Sequence, residues 1–293
     1  LQGAVDQTTA STSYVDLGED YKVFFKWDSS KYSSPTVYFE AVLASSDASG
    51  TAYAKLQVHG LADEVASSEV SVSGTTYTRV RSSAITLTDA YTYKVIIKSN
   101  DVSYTTTLRA CRLIIVQNPS SLSATESHVM LSPYYTISSN TYTEPTYDQR
   151  FYYDSSHWDG TVTILFEATL RATSGSNIAS AVLWDYTAGT SVSGSSVNNT
   201  STSMALSTGS GLTLTSGHWY GAKLKRNVSG AARISCAKLI FQQSGTITQT
   251  QSHIPLIYDG TLATGSSYSD FNFPVYFDPA NWSGLSNTYF HQV

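Results

Sequence analysis

The chain repeats itself, and its third copy is partial. Phe24–Leu43 reads FFKWDSSKYSSPTVYFEAVL and returns at Arg150–Leu170 as RFYYDSSHWDGTVTILFEATL. It begins again at Pro274–Val293 as PVYFDPANWSGLSNTYFHQV. Asp28, Asp154 and Asp278 each follow an aromatic (Trp27, Tyr153, Phe277), at spacings of 154 − 28 = 126 and 278 − 154 = 124. Phe39, Phe166 and Phe290 give 127 and 124 in the same way. A near-constant period across separate anchors is the mark of tandem duplicated domains. A second marker, ESHVML (126–131) against QSHIPL (251–256), places the unit boundaries. The expected units are 1–126, 127–251 and a partial 252–293. The partial unit is too short to close a core alone, so the sequence is either cut from a longer array or completed by another chain.

Within each unit the hydrophobic period is two. Val37, Phe39, Ala41 and Leu43 fall on one face of a strand, and Ile164, Phe166, Ala168 and Leu170 repeat that set. TAYAKLQV, YTYKVIIKS, CRLIIVQ, ASAVLWD, HWYGAKLK and CAKLIFQ also read as strands. Gly and Ser clusters punctuate them at the spacing of a β-sandwich. No stretch shows helical periodicity. The expected fold is all-β: tandem antiparallel β-sandwich domains, jelly-roll-like, with eight or nine strands per unit and an incomplete third repeat.

Composition narrows the function. Charged residues are 13% of the chain, about half the usual ~25%. Net charge is −5 with no basic block, which argues against nucleic acid as a partner. No apolar run approaches the ~20 residues of a membrane span. Low charge and abundant hydroxyls suit the outside of a cell. Candidate glycosylation sites at Asn198, Asn199, Asn227 and Asn281 fit that setting. Cys111 and Cys236 take the same place in ACRLIIVQ and SCAKLIFQ, and read as small buried hydrophobes rather than a bridge.

The order FEAVL, TAYAKL, EVSVSGTTYTRVRSSAITL, YTYKVIIKS, CRLIIVQ resembles the tandem β-sandwich repeats of secreted microbial surface and fibre proteins. The likeness runs through both full units and the start of the third. The jelly-roll shape is also similar to carbohydrate-binding modules, although none of their sugar or calcium motifs is present.

Few residues propose chemistry. The aromatic–Asp turn could hold calcium through Asp28, Asp154 and Asp278, against the plainer reading of an Asp bonded to its own turn. No second acidic residue recurs at ligand spacing, so no cofactor is expected beyond that calcium reading. Glu40 and Glu167 match, but His291 stands in the third unit, which points to a solvated strand face. Trp158 and Trp282 are candidate sugar-stacking platforms, against burial in a core. His128 and His253 correspond, each after a Ser, and read as junction markers. No acid/base pair or Ser-His constellation repeats, so an enzyme is not expected.

The partial unit carries the functional expectation. Ile257, Phe273, Val275, Phe277, Tyr289 and Val293 would form an apolar donor segment with nothing in its own unit to pack against. Strands of one subunit inserted into the next give open head-to-tail filaments. The sequence therefore suggests a subunit of an extracellular filament or cell-surface fibre, with copies of itself as partners. The alternative is a carbohydrate-binding or adhesive repeat of a longer secreted protein, with glycans as partners.

Overall fold

Val37, Phe39, Ala41 and Leu43 are all buried, while Tyr38 and Val42 between them are half-exposed. That alternation commits the segment to a strand with one face on a core. The computed structural model describes residues 6–117, 122–145, 149–228 and 230–248. They are strands throughout, with short 3-10 turns between some of them.

The first sandwich is built from β1 (Gln7–Thr9), β2 (Val15–Asp16), β3 (Phe25–Lys26), β4 (Thr36–Ser45), β5 (Thr51–Val58), β6 (Val70–Ser73), β7 (Thr78–Arg81), β8 (Thr92–Ser99) and β9 (Thr106–Val116). One sheet runs β1-β9-β4-β7; the other runs β2-β8-β5-β6, with β3 also on β8. The second sandwich follows with β10 (Ala124–Ser132), β11 (Tyr135–Ile137), β12 (Phe151–Tyr153), β13 (Thr161–Ala172), β14 (Ala179–Asp185), β15 (Thr190–Ser191), β16 (Val197–Asn199), β17 (Ala205–Leu212), β18 (His218–Arg226) and β19 (Ala232–Ser244). Its sheets run β10-β19-β13-β17, with β11 on β19, and β12-β18-β14-β15, with β16 on β14. All of these pairings are antiparallel. Successive strands switch repeatedly between the two layers, which is the winding of a jelly roll. The expected all-β sandwich fold is therefore the observed one.

Each sandwich closes on its own apolar cluster. Phe39, Leu43, Leu56 and Tyr93 centre the first; Phe166, Leu170, Leu183 and Phe241 centre the second. Each such side chain contributes roughly 1.5–3 kcal/mol through removal of its surface from water.

The pairing registers refine the repeat. Phe39 faces Leu113 and Phe166 faces Leu239, so β9 maps onto β19 with a shift of 239 − 113 = 126. A β-bulge recurs at one place in both units, after Val42 and after Thr169. The extra residue is Arg109 in the first sandwich and Ser235 in the second, and bulges of this kind redirect a side chain. This register corrects the sequence alignment of the cysteines. Cys111 lies opposite Ala41, whereas Cys236 lies opposite Thr169, one residue beyond the matching Ala168. One residue of offset in a strand changes the face. Cys111 joins the first core, and Cys236 points outward with its Sγ 3.3 Å from Met130 Sδ. Neither cysteine is in a disulfide; both thiols are buried, and burial raises both, Cys111 to about 11. They are unreactive at neutral pH.

The chain passes from β9 to β10 and, in doing so, changes sandwich. β10 enters at Ala124 directly opposite Ser244, where β19 ends.

Candidate functional site: the joint between the sandwiches

The outer face of the β10-β19-β13-β17 sheet is covered by the first sandwich. The covering piece is Glu19–Ser33: two 3-10 turns with β3 between them. The second turn forms because Asp28 caps it, accepting hydrogen bonds from Ser30 N at 3.0 Å and Ser30 Oγ at 2.6 Å. Asp154 caps its own turn in the same way through Ser156, at 2.9 and 2.7 Å. These carboxylates hold turns. Among the described residues no group of three or more His, Cys, Asp or Glu is placed to bind a metal.

Asp20 is the centre of the joint. Its Oδ1 accepts from Arg171 Nε at 2.7 Å, and its Oδ2 pairs with Arg233. Arg171 and Arg233 lie directly opposite each other on β13 and β19. Two like charges so placed repel, and Asp20 between them turns that repulsion into attraction. All three are partly shielded from solvent, so the pairing is screened less than at an open surface. Glu19 accepts from Met204 N at 2.7 Å, and the bulged Ser235 donates its hydroxyl to Lys22 O at 2.5 Å. Ser33 fixes the start of β10, donating its N–H to Ala124 O at 3.1 Å and accepting from Ala124 N at 2.9 Å.

Beneath this lies a buried ionic cluster. Lys238 Nζ is 2.7 Å from Glu167 Oε1, with both side chains 7% exposed, and the Phe25 ring lies 5.9 Å over the ammonium. Glu126 accepts from Tyr32 Oη at 3.0 Å, from Gln242 Nε2 at 2.8 Å and from His128 Nε2 at 2.6 Å. Burial alone would raise the Glu126 carboxyl. The His128 contact, the Gln242 amide and the Lys238 ammonium outweigh it and take it down to about 2. Burial and the Lys238 charge push His128 below its ordinary value, against the pull of Glu126 and Glu167. Near neutral pH the ring is therefore neutral, with the Nε2 proton assigned toward Glu126.

These directions give a pH dependence. His128 binds its proton less readily in the assembled joint than in the unfolded chain, so stability falls as pH drops below its ordinary 6.5. Glu126, depressed from 4.5, loses its contribution as pH falls further toward about 2. Both act in one direction. Amide exchange along β10, corrected for its intrinsic rate, should accelerate between about pH 7.5 and about pH 5.5, and His128→Gln should flatten that step. Acid-independent protection of β10 contradicts the assignment.

Several sequence expectations meet a different structure. Glu40 and Glu167 do not lie on a solvated face: both are buried, because basic side chains of neighbouring strands close over them. Around Glu40 these are Arg79, Arg81 and Arg112, at 2.8, 3.4 and 2.6 Å. Trp158 is no sugar platform. It is buried and stacked on Phe241 at 4.1 Å, because the capped turn before it folds the indole into the core. Asn198 and Asn227 are exposed, whereas Asn199 Nδ2 already donates to Leu170 O at 2.6 Å and Ser203 O at 3.1 Å. His128 does sit at the unit junction. Asp278, Trp282, Asn281, His253, His291 and the donor residues Ile257, Phe273, Val275, Phe277, Tyr289 and Val293 lie outside the described residues.

Asp20, Arg171, Arg233, Glu126 and Lys238 were not singled out by sequence reasoning. A signal existed. The first-unit counterparts of Arg171 and Arg233 are Ala44 and Thr107, which also face each other. Paired positions where one repeat turns basic mark a contact that the other repeat makes differently.

One His–Asp pair lies away from the joint. His218 Nδ1 is 2.7 Å from Asp185, whose other oxygen accepts from Ala188 N at 2.8 Å. That bond caps a turn, and the geometry is that of a structural pair.

No family model matches the chain, and no curated protein matches it. Solved structures give distant likenesses. One is the structure of infectious bursal disease virus Gx strain, at 13% identity and TM-score 0.28, covering 84% of this chain and 72% of that one. Another is BuGH86 in complex with neoagarooctaose, at 9% identity and TM-score 0.25, covering 78% of this chain and 34% of that one. A third is the PBSX exported protein XepA, at 8% identity and TM-score 0.21, covering 82% and 86%.

Proposed function

We propose that this chain is a structural subunit of an extracellular filament or cell-surface fibre, assembled head-to-tail from β-sandwich units. The observation that supports this reading most is the joint. A tether between independent modules would be polar, open and mobile. Here Glu19–Ser33, whose Phe25, Trp27 and Tyr32 also pack in the first core, lies over the next unit and seals an ionic cluster that would be costly to expose. Such a joint fixes the angle between neighbours, which is what a fibre needs and a freely hinged adhesin does not. The carbohydrate-binding alternative has lost its described aromatic platform, since Trp158 lies in the core. Low charge and the exposed sequon residues Asn198 and Asn227 agree with an extracellular site.

Negative-stain micrographs of the native material test the reading. Fibres with an axial repeat near two sandwich lengths are expected. Monodisperse particles at every concentration overturn it.

A further inference from the structure

The two sandwiches differ at one edge. In the second, β19 is flanked by β13 on one side and β10 on the other. In the first, β9 is flanked by β4 along its length, but β1 covers only Thr106 to Leu108 on the other side. Among the described residues, no strand pairs with that side of β9 from Arg112 to Val116. The side chains register the difference. On the inner face, Leu239 and Phe241 are buried, whereas their counterparts Leu113 and Ile115 are only partly so; Val116 at the end of the strand is exposed. An open apolar strand edge of this kind is a template for another strand.

We infer that this edge accepts residues 249–256 of a second copy of the chain. The occupant is argued from β10. Ala124–Leu131 reads ATESHVML, and 249–256 reads QTQSHIPL. Thr, Ser, His and Leu coincide, Ile replaces Val, and Gln replaces Glu. β10 shows what such a sequence does when it meets a final strand of this type: it adds along the edge, antiparallel, with Val129 and Leu131 in the core. In the same register His253 lies opposite Ile114, Gln251 opposite Val116 and Ile254 opposite Leu113. Pro255 takes the place of Met130, next to the irregularity in β10's own ladder, and proline is tolerated at edges and bulges. This inference rests on the filament reading and names the acceptor within it.

Cross-linking in the full chain tests it. Ile114→Cys and His253→Cys are made as separate proteins, mixed, and oxidised; Val116→Cys with Gln251→Cys is a second pair in the same register. A disulfide-linked dimer, lost on reduction, is expected from each mixture and not from the register-shifted Val116→Cys with His253→Cys. Because Val116 is exposed, the second pair remains informative if Ile114→Cys fails to fold. If residues 1–5 of the same chain hold the edge, neither pair links, and the inference is overturned. Fibres without either link leave the filament reading standing and remove this acceptor. Absence of both fibres and links removes the two together.

Discussion

Lys238→Ala should destabilise the second sandwich by about 3–5 kcal/mol, the range for removing one partner of a buried ion pair. The ammonium lies 2.7 Å from Glu167 Oε1, under the Phe25 ring and away from water. Burial alone would make Lys238 easier to deprotonate, but Glu167, Cys236 and Glu126 hold it above its ordinary value. Removing it leaves the Glu167 carboxylate buried beside no cation. The mechanism predicts its own rescue: Glu167→Leu with Lys238→Met should recover most of the loss, since an apolar pair of similar volume carries no desolvation cost. Urea denaturation checks both. The first sandwich supplies the contrast. Arg112→Ala should cost about 1 kcal/mol or less, because the arginine is well exposed and Arg79 and Arg81 still serve Glu40. Equal losses at Arg112 and Lys238 would show that cover by the neighbouring unit is not what makes the pair critical.

Phe241→Ala should cost the second sandwich a further about 3–5 kcal/mol by an unrelated route, the opening of a cavity. Phe241 is fully buried and stands at the centre of an aromatic group. Trp158 stacks on it at 4.1 Å and 13°, Tyr153 at 5.9 Å, and Phe151 meets it at 5.5 Å. Three rings cannot collapse into one vacated site without leaving their rotamers, so the void persists. The counterpart in the first sandwich is Ile115, a smaller and partly buried side chain, where the aromatic stack is Trp27 on Tyr32 at 5.0 Å. Ile115→Ala should therefore cost clearly less. Near-ultraviolet circular dichroism during unfolding reads both, because Phe241→Ala also unseats the Trp158 ring. A Phe241→Ala protein as stable as the parent would sink the cavity argument.

The contrast between what could and could not be read from the sequence has a physical basis. Val37, Phe39, Ala41 and Leu43, with their second-unit equivalents, were legible as a core face because a strand's period is local and short. The winding followed from the number and spacing of such strands. The cysteine offset was not legible, because the two cysteines match in type and each precedes a similar apolar run; only the cross-strand pairing shows that Cys236 corresponds to Ala110 and Cys111 to Ala237. The burial of Glu40 and Glu167 was also missed. Alternation places them outward, and only the arginines on flanking strands, or a neighbouring unit, decide whether outward means wet. The joint itself depends on contacts between residues more than 150 positions apart, such as Asp20 with Arg171 and Arg233. Nothing in a single window of sequence announces such a contact.

The meeting of Ala124 with Ser244 has a mechanical consequence. The backbone enters and leaves the second sandwich at one end of two adjacent antiparallel strands. A pull between those two points opens the β10–β19 ladder like a zipper, breaking one rung at a time, rather than shearing all rungs together. Tension carried along the covalent thread thus meets the fold in its least resistant direction, while Asp20 and its two arginines bind across the flank of the same sheet, off that line of peel.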